Sequence, residues 1–184
     1  MTPTAFHLVT IPILSDLEVR EVPGTRLAEK SRNFSLLARK SSPNAFASTY
    51  EAESKRSIEQ TYERLTNSKA VQYVALKFDV ETTEQEVSIV GVDELDRNEW
   101  EGFIALLGPQ EGSDGRVSAS VNPFHLMTRT SSGEHEKRKP GFSCQVDAGL
   151  YFHLNGFFVR LAARGHGLGR TQVEAAIAQT LSNS

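Results

Sequence analysis

Residues 150–170 read LYFHLNGFFVRLAARGHGLGR. The first ten are almost all apolar or aromatic and predict a strand, which runs directly into a turn where Gly165, Gly167 and Gly169 alternate with other residues. Glycine has no Cβ, so the backbone there can bend sharply and a ligand can approach it closely. Beyond the turn, TQVEAAIAQTL is rich in helix formers, with Val173, Ala176, Ile177 and Leu181 at i, i+3, i+4 and i+8. That spacing predicts a helix with one apolar face. The glycines therefore fall at a helix start, where the first amides have no partner within the helix and the dipole is positive. An anion such as phosphate satisfies both.

The glycine spacing separates the phosphate ligands. A dinucleotide site requires G-x-G-x-x-G, whereas here the order is G-x-G-x-G with Arg170 in sixth place. The P-loop pattern G-x-x-x-x-G-K-[ST] is absent from the chain. On spacing alone the turn is either a phosphate cradle or a helix start with permissive glycines. Residues 159–169, VRLAARGHGLG, resemble the acetyl-CoA signature of the GNAT family of N-acetyltransferases. The family's R/Q-x-x-G-x-G/A motif is matched by Arg164, Gly167 and Gly169, with an additional glycine at Gly165. The strand ending in Val159, five residues before the motif, is similar to the family's fourth strand. A looser resemblance lies in residues 41–65, SSPNAFASTYEAESKRSIEQTYERL, which look like the region between the first two strands of certain fungal and bacterial members. There a proline, an Ala-Phe pair and an acidic S/T-Y-E run precede a short helix. Read without the resemblance, Phe46 and Tyr50 are core residues four apart on a helix.

The resemblance implies an α/β (α+β) domain, a mixed and mainly antiparallel sheet flanked by helices, with acetyl-CoA as cosubstrate and no metal. The amides of Arg164, Gly165, His166, Gly167, Leu168, Gly169 and Arg170 would hold the diphosphate. The backbone of Phe158, Val159 and Arg160 would pair with the pantetheine amides as a peptide adds to a sheet edge. An amide near Val159 would face the thioester oxygen and stabilise the oxyanion. In histone-type members the general base lies on the fourth strand six residues before the valine, here His153. A histidine exchanges protons near neutral pH. Glu101 and Glu99 compete for the role, and His153 pointing into or across the sheet is the other reading. The acceptor would be a small amine or a protein amine. In the complete family fold a fifth strand, a helix and a final hairpin follow, and a tyrosine from that helix often protonates the departing thiolate. The chain given ends at Ser184, so the expectation is a single partial domain over residues 1–184 lacking those elements. Weak or absent turnover, coenzyme binding without catalysis, or self-association across the open strand edge then follow as expectations.

Outward from this stretch, 184 residues suit one domain. A net charge of −3 speaks against general nucleic-acid binding, although residues 150–184 carry Arg160, Arg164 and Arg170 against Glu174 alone. The lone Cys144 excludes an internal disulfide, and without a base identified beside it an acyl-carrying role is set aside. No apolar run approaches 18 residues and no leader pattern opens the chain, so a cytoplasmic protein is expected, with the nucleus left open.

Residues 6–22 alternate at roughly period two and predict one or two strands, ended by Pro23-Gly24; residues 26–40 predict a helix, and 57–65 another. Strands are expected at 70–78 and 99–107, and again at 145–159. Between the first two, residues 79–101 hold nine acidic side chains and one basic, either a solvated connection or a lure for a cationic amine. Residues 109–141 are poor in apolar side chains and predict a long, mobile insertion between the third and fourth strands. His135 within it, between Glu134 and Glu136, lacks two further ligands at metal-binding spacing.

Overall fold

The computed structural model describes residues 4–79, 90–111 and 150–182. It is a mixed α/β structure around one antiparallel sheet of four strands, β1 (Thr4–Ile11), β2 (Ala70–Asp79), β3 (Trp100–Glu111) and β4 (Leu150–Val159), in the spatial order β1-β2-β3-β4. The helices are α1 (Val22–Ser41), α2 (Tyr50–Ser54), α3 (Glu59–Leu65), α4 (Val92–Arg97) and α5 (Leu168–Ser182).

Strand alternation sends side chains to two separate layers. On one face Val9, Ile11, Val74, Leu76, Trp100 and Phe158 pack with Leu27, Phe34 and Ala38 of α1, Leu65 of α3 and Leu95 of α4. On the other, Tyr73, Ile104 and Leu106 meet Ala176 of α5, while Ala75 meets Ala163 and Leu168. The helix after β4 thus covers the sheet face opposite α1, α3 and α4.

Four expectations need correcting. Residues 17–22 are not a strand: Glu18–Arg20 is a 3-10 turn and α1 already begins at Val22. The cause is a reciprocal cap. Ser15 N–H donates to the Glu18 carboxylate at 2.8 Å, and Glu18 N–H donates to Ser15 Oγ at 3.2 Å. Pro23 falls within the first helical turn, where its missing N–H costs nothing, so it helps open α1 and does not end a strand. Gly24 permits this packing, since a Cβ there would lie 2.1 Å from the Glu18 carbonyl oxygen.

Second, Phe46 and Tyr50 do not share a helix. Phe46 is extended and packs on the core, while Tyr50 opens α2 behind a Thr49 cap and is 41% exposed. Third, the acidic connection is not solvated throughout: α4 buries Leu95 completely, and the Lys30 ammonium donates to the Asp96 and Asn98 carbonyls at its end. Fourth, the buried row of α5 is Leu168, Gln172 and Ala176, with Ile177 and Leu181 at 51% and 73% exposure. β3 also runs to Glu111, past the start of the expected insertion. Residues 112–141 of that insertion, with His135, and residues 144–149, with Cys144, lie outside the described residues, as do 80–89.

Among the described residues no helix is long and apolar enough to cross a membrane, and no three His, Cys, Asp or Glu side chains cluster as metal ligands would.

Candidate functional site

The end of β4 is pinned by its own alternation. Phe158 is 5% exposed and meets Phe34 edge-on at 5.8 Å between ring centroids, with Phe46 at 6.3 Å. Val159 packs in the other layer, near Ala163 and Leu168. With both side chains held, the backbone between them is fixed while its outer edge has no neighbouring strand among the described residues.

Pairing decides which groups that edge offers. Gly102 and Val159 are cross-strand partners, and the Arg160 N–H donates to the Glu101 carbonyl at 2.8 Å. In an antiparallel ladder that bond lies next to a non-hydrogen-bonded pair, so the N–H and C=O of Val159 itself point away from β3. Upstream, β4 has one residue more than β3 between the pairs Phe103–Phe158 and Ala105–Asn155. This bulge contains Gly156 at φ 67°, where a Cβ would come within 2.8 Å of the Phe103 ring.

After Val159 the chain makes a 3-10 turn, Leu161–Ala163, before the glycines. Gly165 and Gly167 adopt φ of 83° and 79°, the left-handed region that glycine enters without strain. The first hydrogen bond of α5 runs from Thr171 N–H to the Gly167 carbonyl at 3.1 Å. Among the described residues the amides from Gly165 to Arg170 have no hydrogen-bond partner, as expected of a helix start facing an opening.

That opening is a cleft of about 420 Å³. It is bordered by Phe157, Phe158 and Val159 of β4, by residues 163–165 and 167–170 of the turn and helix start, and by Ser42 and Ala45. The last two come from the end of α1 and the turn after it, within the 41–65 segment. Phe158, Val159, Arg164, Gly165, Gly167, Leu168, Gly169 and Arg170 all border this one space.

The arginines divide into three states. Arg160 lies 3.3 Å from Glu99 and 3.7 Å from Glu101, and Arg170 donates to Glu174 at 2.7 Å. Arg164 has no carboxylate partner among the described residues. Its Nε donates to the Val159 carbonyl at 3.0 Å and its Nη2 reaches Ser42 Oγ at 3.4 Å, with the guanidinium 5.9 Å from the Phe158 ring centroid. His166 turns elsewhere. Its ring meets Phe6 at 5.3 Å and, with Leu8, Leu168 and Thr171, borders a separate hollow of about 300 Å³.

His153 and Glu101 are not brought together. His153 pairs with Leu107 and shares the α1 side of the sheet, half-buried, its Nε2 shielded from solvent without a partner among the described residues. Six residues separate it from Val159, roughly 20 Å along a strand. Glu101 is 5% exposed, beside Arg160 at the turn end of the sheet.

Comparison of the chain with protein-family models, curated proteins and solved structures finds no match in any of the three.

Proposed function

We propose that this chain binds acetyl-CoA in the cleft beside β4 and transfers its acyl group to an amine, as the resemblance to GNAT N-acetyltransferases implies. One observation carries the reading: Gly165, Gly167, Leu168, Gly169 and Arg170, whose amides have no partner among the described residues, border the same cleft as the outward-facing peptide edge of Val159. A diphosphate answers the first, and an amide-bearing arm answers the second. Hydrogen bonds to a charged diphosphate contribute about 1.5 to 3 kcal/mol each.

Laid along this edge with its diphosphate at the turn, the coenzyme directs its thiol up β4 towards His153. The thioester carbonyl then meets strand amides that can stabilise the oxyanion of the tetrahedral intermediate. The amine must lose a proton as it attacks, and His153 is the base in this reading.

Coenzyme binding without turnover is the second reading, favoured by the state of Glu101. Its carboxylate is buried beside Arg160 at the turn end of the sheet, away from His153.

Thermal unfolding with acetyl-CoA and release of coenzyme A thiol over a panel of amines test both. Saturation at about 100 times Kd should stabilise the fold by about 2.7 kcal/mol. A shift with thiol release supports transfer, and a shift without it supports the binding module. The absence of any shift at millimolar acetyl-CoA removes both.

A further inference from the structure

We infer that Arg164 determines which thioesters enter the cleft: its guanidinium is bonded to the Val159 carbonyl, so a pantetheine arm competes well for that carbonyl when a diphosphate accompanies it and draws the guanidinium away. The inference rests on the coenzyme reading above and concerns the selectivity of that same cleft.

The Val159 carbonyl is the outward-facing acceptor at the inner end of the cleft, and Arg164 Nε donates to it at 3.0 Å. From there the guanidinium spans the opening to Ser42 Oγ at 3.4 Å. The carbonyl has a second lone pair, but a neutral amide N–H arriving alone must share the oxygen with a charged donor whose guanidinium also reaches Ser42, and charge-assisted hydrogen bonds are roughly twice as strong as neutral ones. An uncharged pantetheine thioester therefore competes poorly.

A diphosphate changes the balance. Among the described residues Arg160 and Arg170 face carboxylates and Arg164 does not, so its charge is available to an anion bound at the neighbouring amides. The movement required is local. Arg164 is exposed and extended, at φ −71° and ψ 156°, and Gly165 after it has open space around the position of a Cβ. The guanidinium can turn from the carbonyl to the diphosphate without disturbing β4. Release of Val159 is thereby coupled to recognition of the phosphates, and the cleft selects free coenzyme A thioesters over pantetheine thioesters that lack the diphosphate.

Calorimetric titration of the whole chain and of Arg164→Ala with coenzyme A and with pantetheine tests this. Wild type should bind coenzyme A at least 100-fold more tightly than pantetheine. Arg164→Ala should tighten pantetheine about tenfold while weakening coenzyme A, and Arg164→Lys, which restores a charged donor, should return pantetheine towards its wild-type affinity. Arg164 lies on the surface, and a thermal melt of each variant shows that it is folded. Pantetheine affinity unchanged or lower in Arg164→Ala, with coenzyme A still bound by wild type, overturns the role of Arg164 and leaves the coenzyme site standing. Failure of wild type to bind coenzyme A overturns the site and this inference together.

Discussion

Gly167 sits at φ 79° with open space where a Cβ would be, so an alanine there meets no clash and bears only the cost of a left-handed backbone, about 1 to 2 kcal/mol. Its amide belongs to the run that faces the cleft, and relaxing the strain turns that amide away. Gly167→Ala should therefore lower stability by about 1 kcal/mol, as read by chemical denaturation, and reduce the acetyl-CoA thermal shift by more than half. A variant that keeps the full shift would show that the Gly167 amide does not hold the ligand. These glycines were legible in the sequence because a positive φ has few occupants besides glycine. Gln172 was not. A hydrophobic count chooses Val173, Ala176, Ile177 and Leu181, yet besides Ala176 the other fully buried position described on this helix is a carboxamide, Gln172, whose Nε2 lies 2.6 Å from where a Gly102 Cβ would be. Neither polar atom of its side chain has a hydrogen-bond partner among the described residues, so Gln172→Met keeps the shape and removes the desolvation cost. It should raise stability by about 1 kcal/mol, and a lowered melting temperature would mean that the carboxamide is bonded in solution.

At the scale of elements, the wall of the cleft opposite the glycines is held by a charge node that pattern reading missed. Glu53 of α2 is 3% exposed and meets Arg39 of α1 at 3.3 Å, Arg56 at 3.1 Å and Arg64 of α3 at 3.1 Å. Arg39 also donates to Ser48 Oγ at 2.9 Å and stands 5.0 Å from the Phe46 ring centroid, so the node fixes the turn that follows Ser42 and Ala45. Strand periodicity made β2, β3 and β4 legible to within a few residues. A node assembled from three elements has no local period, and only the resemblance of residues 41–65 drew attention to this region. Burial pushes the Glu53 carboxyl up, the largest single influence, but the guanidiniums of Arg64, Arg39 and Arg56 together hold it below the usual carboxylate range. A folded value below the unfolded one means that its contribution is complete above the ordinary carboxylate range and is lost as pH falls through the folded value. Glu53→Gln leaves three guanidiniums facing one another and should cost about 3 kcal/mol near neutral pH, the low end for a buried pair because Arg56 and Arg64 retain some water. The deficit should shrink towards acid as wild type loses the same charge. A deficit that stays constant from neutral to acidic pH would mean that the carboxylate is not the source of the stabilisation.

For the whole molecule, the sheet has β4 as an outer strand among the described residues, and an outer strand presents unpaired peptide groups to any other strand. Apolar surface lies on and beside it: Leu154 and Phe157 are 51% and 46% exposed, and on α5 Ile177 and Leu181 are 51% and 73% exposed. Antiparallel pairing of β4 with the β4 of a second copy would satisfy the peptide groups and cover Leu154 and Phe157 in one step. It would also use the Val159 edge that the proposed coenzyme needs, so association and ligand binding compete for one set of groups. Sedimentation at rising protein concentration should then show a dimer that acetyl-CoA dissociates. Leu154→Lys, a charge placed on the open edge, should weaken the dimer at least tenfold while leaving the fold intact, since Leu154 contributes little to the core. A dimer indifferent to both acetyl-CoA and Leu154→Lys would place the contact on another surface, and a monomer at every concentration would end the case for association through β4.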